Sequence, residues 1–150
     1  MIAVEPFDVA HLANMTVQPA QIEARMSPLE LMQRGMALSA TGDCFTARRR
    51  ADGKVLMCGG ALTSHPGLAT LWAVFALAAI EDRRAMTAIR HRVRHFLTML
   101  QHRRIDTLVR SDHRAAHRFA LRLGFKAEAR LNDYFEDGSD AVVYRYRGHA

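Results

Sequence analysis

The sequence predicts an α/β domain, and three observations carry that prediction. Asp52-Gly53 lies between two short, apolar-rich runs, residues 44–50 and 54–62, the mark of a tight β-hairpin. Between residues 84 and 103 the apolar residues Ile89, Val93, Phe96, Leu97 and Leu100 recur every three or four positions, which is helical spacing. Capping residues then divide the chain into alternating elements with no Pro-, Gly- or Ser-rich linker between them, so residues 1–150 read as one domain.

Residues 2–7 form a short strand that Pro6 closes, and Asp8 can cap a helix beginning at Val9. Residues 9–25 are helical in pieces, broken near Pro19. Ser27-Pro28-Leu29-Glu30 is a helix start with an N-cap, a proline at the first helical position and a capping-box glutamate. That helix is expected to run to about Ser39 and stop near Gly42. The second hairpin arm is apolar on both faces, as an interior strand is, and Gly59-Gly60 within it signals a bulge or a close approach. Residues 69–77 make another buried strand after the His65-Pro66-Gly67 turn. The long helix over 84–103 leads to a strand over 105–110. Asp112 can cap a helix whose inner face is Ala116, Phe119, Ala120 and Leu123 and whose end is Gly124. Two strands, 125–131 and 141–146, finish the order.

One hundred and fifty residues suffice for a single core, and an apolar fraction of 49% with 24% charged residues is that of a globular chain. The N-terminus lacks the basic start and apolar centre of a signal peptide. The longest apolar run, residues 71–80, is about half a membrane span, so no membrane partner is expected. Two cysteines in so small a chain point to a reducing cytoplasm. A two-residue turn at Asp52-Gly53 pairs residue 44 with about 61 rather than 58, which argues against a Cys44–Cys58 disulfide. The net charge is +6, almost all from arginine, and favours polyanions of any kind.

The element order, together with residues 113–125 (HRAAHRFALRLGF), resembles the GNAT N-acetyltransferase superfamily. The family helix reads Asn-x-x-Ala-(x)3-Tyr-(x)3-Gly-Phe; Ala116, Gly124 and Phe125 match, while Ala120 stands in the tyrosine position. A closer similarity is to diverged GNAT-like proteins of podophages, including internal virion proteins, through His117-Arg118-Phe119-Ala120 with Leu123-Gly124-Phe125 and the Leu71-Trp72-Ala73-Val74 strand. The resemblance implies a mixed, mostly antiparallel sheet of six to seven strands flanked by about four helices. It implies an N-acyltransferase using acetyl-CoA or another acyl-CoA, encoded by a phage or prophage and resident in the host cytoplasm. Its alternative is a non-catalytic component of a phage particle, with other virion proteins as partners.

In such proteins the pyrophosphate rests at the start of the long helix on Arg/Gln-x-x-Gly-x-Gly/Ala, where helix amides favour an anion. Arg83-Arg84-Ala85-Met86-Thr87-Ala88 is the counterpart: Arg83 and Ala88 match, Arg84 adds charge, and Met86 replaces a glycine. The fourth strand and its neighbour part so that pantetheine can bond the open edge, here Val74, Phe75 and Ala76, with a backbone N–H of Val74 or Phe75 polarising the thioester. His113 takes the place of the family's cofactor-contacting asparagine. Amine acylation needs a base and an acid. Glu81 and Asp82 are the base candidates, and first-turn helix residues facing the dipole is their plainer reading. Tyr134, with Tyr144 and Tyr146, supplies the acid candidates. Trp72 reads as a core aromatic or as a wall of the acceptor pocket. The pairs His91/His95 and His113/His117 have ligand spacing but no zincin glutamate, and arginines crowd the first, so no metal is expected. The arginine-rich helix reads as a solvated face with nonspecific polyanion contact; no stacking aromatics or reader module accompany it.

Overall fold

The computed structural model describes residues 1–147. Its seven strands form one sheet in the order β1-β2-β3-β4-β5-β7-β6, and the described residues hold five α-helices. The described residues divide into two compact units, residues 1–62 with 72–92, and residues 63–71 with 93–147. No helix of the described residues is long and apolar enough to cross a membrane.

In the first unit β1 (Ile2–Pro6) runs antiparallel to β2 (Cys44–Arg49), which runs antiparallel to β3 (Val55–His65). Asp8 caps α1 (Val9–Ala13), with His11 completing the reciprocal box. Ser27 and Glu30 form the expected capping box of α2 (Pro28–Leu38). A 3-10 turn, Ile22–Arg25, separates these helices. Leu12, Met15, Val17, Leu31, Cys58, Trp72, Val74 and Ala76 pack into one cluster. Trp72 is 9% exposed and meets Phe7 edge to face at 5.5 Å, so it is a core aromatic.

The hairpin forms about Gly53, whose φ of +70° favours a residue without Cβ. Arg49 N–H bonds Lys54 O, so the turn takes residues 50–53 rather than the expected two, and a bulge between Ala47 and Arg48 then moves the register by one. Cys44 therefore pairs with Gly60 rather than 61, and Thr46 with Cys58. Both cysteines are free thiols. The glycine pair is there for close approach. A Cβ on Gly59 would lie 2.9 Å from the Trp72 carbonyl oxygen, and one on Gly60 would lie 2.5 Å from that of Asp43.

Three boundaries differ from the sequence expectation by more than one residue. Strand β3 continues to His65 because the hairpin turns only at Pro66-Gly67. Strand β4 (Leu68–Phe75) stops before residue 77: the Ala76 carbonyl accepts from Ala79 N–H and starts α3 (Leu77–Ile80). Helix α4 (Arg83–Met99) ends four residues early, where Leu100 N–H closes back on Leu97 O and terminates the ladder.

In the second unit β5 (Arg104–Arg110) is antiparallel to β7 (Ala141–Tyr146), which is antiparallel to β6 (Phe125–Leu131). The start of β4 joins β5 in parallel over three pairs, Leu68↔Arg104, Ala69↔Ile105 and Thr70↔Asp106. Helix α5 (Arg114–Leu123) ends at Gly124, left-handed at φ +102°, as expected. Asp112 does not cap it. Its carboxylate accepts from Arg110 Nε instead, and His113 holds the N-cap position without a side-chain bond.

Replacing Gly60 with alanine drives a methyl group into the Asp43 carbonyl and is expected to lower stability by roughly 1–3 kcal/mol. An unchanged urea midpoint would contradict this packing. Cys58 is fully buried and desolvation pushes its thiol up to about 12. At pH 8 a thiol reagent should therefore titrate Cys44 alone in the native protein and both cysteines in denaturant; two reactive native thiols would contradict the burial.

Candidate functional site

Successive residues of a strand direct their backbone groups to opposite edges. Ala76 N–H bonds Leu56 O of β3 at 2.8 Å, so Ala73 and Phe75 address the other edge of β4. That edge is occupied by the segment ahead of α2. Gln18 N–H bonds Phe75 O at 2.9 Å, and Val17 bridges Ala76. The Gln21 carboxamide does the rest: Oε1 accepts from Phe75 N–H at 2.8 Å and Nε2 donates to Ala73 O at 2.9 Å. By the same alternation Val74 N–H faces β3, so of Val74 and Phe75 only Phe75 offers its N–H here. The side chains of Val74, Phe75 and Ala76 are all buried.

Behind Gln21 lies Glu23, a carboxylate only 5% exposed. Arg34 Nε pairs with it at 2.7 Å, and Gln21 Nε2 approaches its Oε1 at 3.4 Å. Gln21 and Glu23 went unread in the sequence. The break at Pro19 was visible, but no local pattern marks a side chain that replaces a strand.

At the start of α4, Asp82 Oδ1 accepts from Ala85 N–H at 3.0 Å and its carbonyl accepts from Met86 N–H at 2.9 Å. Asp82 is thus the N-cap, and its charge compensates the helix dipole. Residues 83–88 are helical from Arg83 on, with the Met86 amide committed to the helix ladder. Arg49 bridges Asp82 at 3.2 Å and Asp52 at 3.0 Å and donates to Ala78 O, which engages both terminal nitrogens of its guanidinium. Arg83 and Arg84 are exposed. Both border two open depressions: one of about 580 Å³ with Lys54, Glu81 and Asp82, the other of about 420 Å³ with Thr87, Ala88 and His91. Glu81 is exposed at the C-cap of α3.

In the second unit Ala120, in the family's acid position, is buried and offers no proton. Tyr144 is buried on β7, and its hydroxyl lies 2.6 Å from His117 Nδ1. The Ser111 carbonyl, 3.0 Å from His117 Nε2, can only accept. In the neutral ring Nε2 therefore carries the hydrogen and Nδ1 accepts the Tyr144 O–H. Both ring nitrogens are used, which separates His117 from His113 as a ligand pair. His113 is half-buried; desolvation holds its pKa below the ordinary histidine value, against an opposing pull from Asp112. Tyr134 is 48% exposed in the β6–β7 loop, with its ring edge on to Phe135.

No protein-family model and no curated relative matches the sequence. Solved structures match it over nearly its whole length. A spermidine N-acetyltransferase chimera of Vibrio cholerae SpeG and hSSAT superposes with a TM-score of 0.74 at 15% identity, covering 97% of this chain and 94% of the other. A GNAT-family acetyltransferase from Bacillus anthracis gives 0.69 at 11% identity, with 96% and 93% covered. The chain has the GNAT fold. The ribosomal-protein-S18-alanine N-acetyltransferase of Escherichia coli, at 0.69 and 14% identity over 97% and 93%, shares it. Identities this low speak for the fold alone, and any chemistry of this chain has to be argued from its sites.

Asp82→Ala removes the cap of α4 and is expected to lower stability by about 1 kcal/mol in urea denaturation, with Asp82→Asn restoring most of the loss. Equal losses for both variants would show that the Arg49 ion pair, rather than the cap, is what Asp82 provides.

Proposed function

We propose that this protein is a GNAT-type N-acyltransferase that takes acetyl-CoA or another acyl-CoA as co-substrate. The observation that carries the reading is the backbone of β4: after three pairs with β5 it presents Ala73 O and Phe75 N–H to an amide group. An acyl-CoA seated there would bring Phe75 N–H to its thioester carbonyl, where a hydrogen bond favours the charge that develops on oxygen. Arg83 and Arg84 would meet the pyrophosphate by ion pairing, with Ala88 on the wall of the adjoining depression. Asp82 is already a cap and an ion-pair partner, and Glu81 stands in solvent.

A second reading is favoured by Ala120, a buried alanine where the fold's acid belongs, and by the helical commitment of Met86. In it the chain is a phage- or prophage-encoded GNAT-fold component of a particle, without turnover, in contact with other virion proteins. The proposed location is the host bacterial cytoplasm for the first reading and the particle for the second. Nonspecific polyanion contact through α4 suits either.

Isothermal titration with acetyl-CoA separates them. The enzyme reading predicts binding that weakens at least roughly tenfold in Arg83→Glu/Arg84→Glu, as expected for the loss of two charge-assisted contacts. No heat at millimolar acetyl-CoA would remove the enzyme reading and leave the second.

A further inference from the structure

We infer that Gln21 is an internal occupant of the acyl-CoA edge, so that the free protein is self-blocked and co-substrate binds only as Gln21 withdraws. This rests on the acyl-CoA reading above and concerns the regulation of that same site.

The backbone bonds of residues 16–21 lead there. Thr16 O accepts from Leu77 N–H at 2.9 Å, Val17 bridges Ala76, and Gln18 N–H bonds Phe75 O, so the segment begins as an antiparallel neighbour of β4. The next bond of such a ladder would run from Phe75 N–H to Gln18 O. It is not made. Gln18 O accepts from Gln21 N–H at 3.1 Å instead, in a turn that contains Pro19, which has no N–H to extend a ladder. The side chain of Gln21 then returns to the strand and supplies one acceptor and one donor, in place of one residue of a paired strand.

The amide is fully engaged. Phe75 N–H can only donate and Ala73 O can only accept, which fixes which end of the carboxamide is oxygen. Gln18 Nε2 donates to Gln21 Oε1 at 2.9 Å, and Gln21 Nε2 faces Glu23 Oε1 at 3.4 Å. A ligand amide laid on this edge needs the same two backbone groups. It can enter only by exchanging its bonds for those of Gln21. The exchange replaces two hydrogen bonds with two, so its cost is the opening of the segment, and apparent affinity falls by the fraction of molecules that are open.

The test uses the full chain, its Gln21→Ala variant, and Gln21→Met, which keeps the volume without the polar ends. Amide exchange at Phe75 reads the occupancy without any ligand. It should be at least roughly tenfold faster in both variants than in the wild type, with the thermal transition retained; equal exchange overturns the inference. Acetyl-CoA titration reads the consequence. Roughly tenfold tighter binding by both variants supports a self-blocking Gln21. Binding that is equal or weaker overturns it and leaves the acyl-CoA reading standing. Absence of binding by all three proteins overturns that reading, and the inference with it.

Discussion

A strand whose neighbour stops pairing partway must satisfy its remaining N–H and C=O groups elsewhere, and in this protein that constraint falls on β4. Its pairs with β5 end at Thr70, and Leu71 O is taken by the Thr107 hydroxyl at 2.9 Å. Further on, the backbone is met by Thr16, Val17, Gln18 and the carboxamide of Gln21. Leaving such groups buried and unpaired costs about 1–3 kcal/mol each. In this protein that part of the edge is met by a piece of the chain itself.

The start of α4 obeys a related rule. A helix N-terminus attracts negative charge, and Asp82 provides it from within the chain. The carboxylate is itself held by Arg49, which also serves Asp52, so these three side chains form a closed set. Arg83 and Arg84 lie outside that set and face open depressions. At both places the polar groups that could meet a nucleotide thioester are partly answered by residues of the protein itself.

Much of the fold was legible because its signals are local. The Ser27/Glu30 capping box, the hairpin at Asp52-Gly53 and the left-handed Gly124 each act within a few residues, and all appear where the sequence places them. The two last strands, Phe125–Leu131 and Ala141–Tyr146, have the expected bounds. The close approach implied by Gly59-Gly60 is met by the Trp72 and Asp43 carbonyls. What escaped is long-range. Gln21 bonds residues 52 and 54 positions away, and no periodicity encodes a side chain standing in for a strand. Helix α3 escaped because the run around Leu77 is apolar enough for either a strand or a buried helix. The one-residue register shift at Ala47/Arg48 was equally silent, since a bulge leaves the hydrophobic pattern on either side intact. For the candidate site, the sequence pointed to residues 74–76 and 83–88 and read Asp82 as a residue facing the helix dipole; it did not indicate that Gln21 already satisfies the edge of β4.

A crystal structure of the protein grown with coenzyme A tests the central claim most directly. Such crystals are expected to show a pantetheine amide bonded to Ala73 O and Phe75 N–H, with the Gln21 side chain displaced from both. Coenzyme A bound elsewhere, with Gln21 still on the strand, would contradict it.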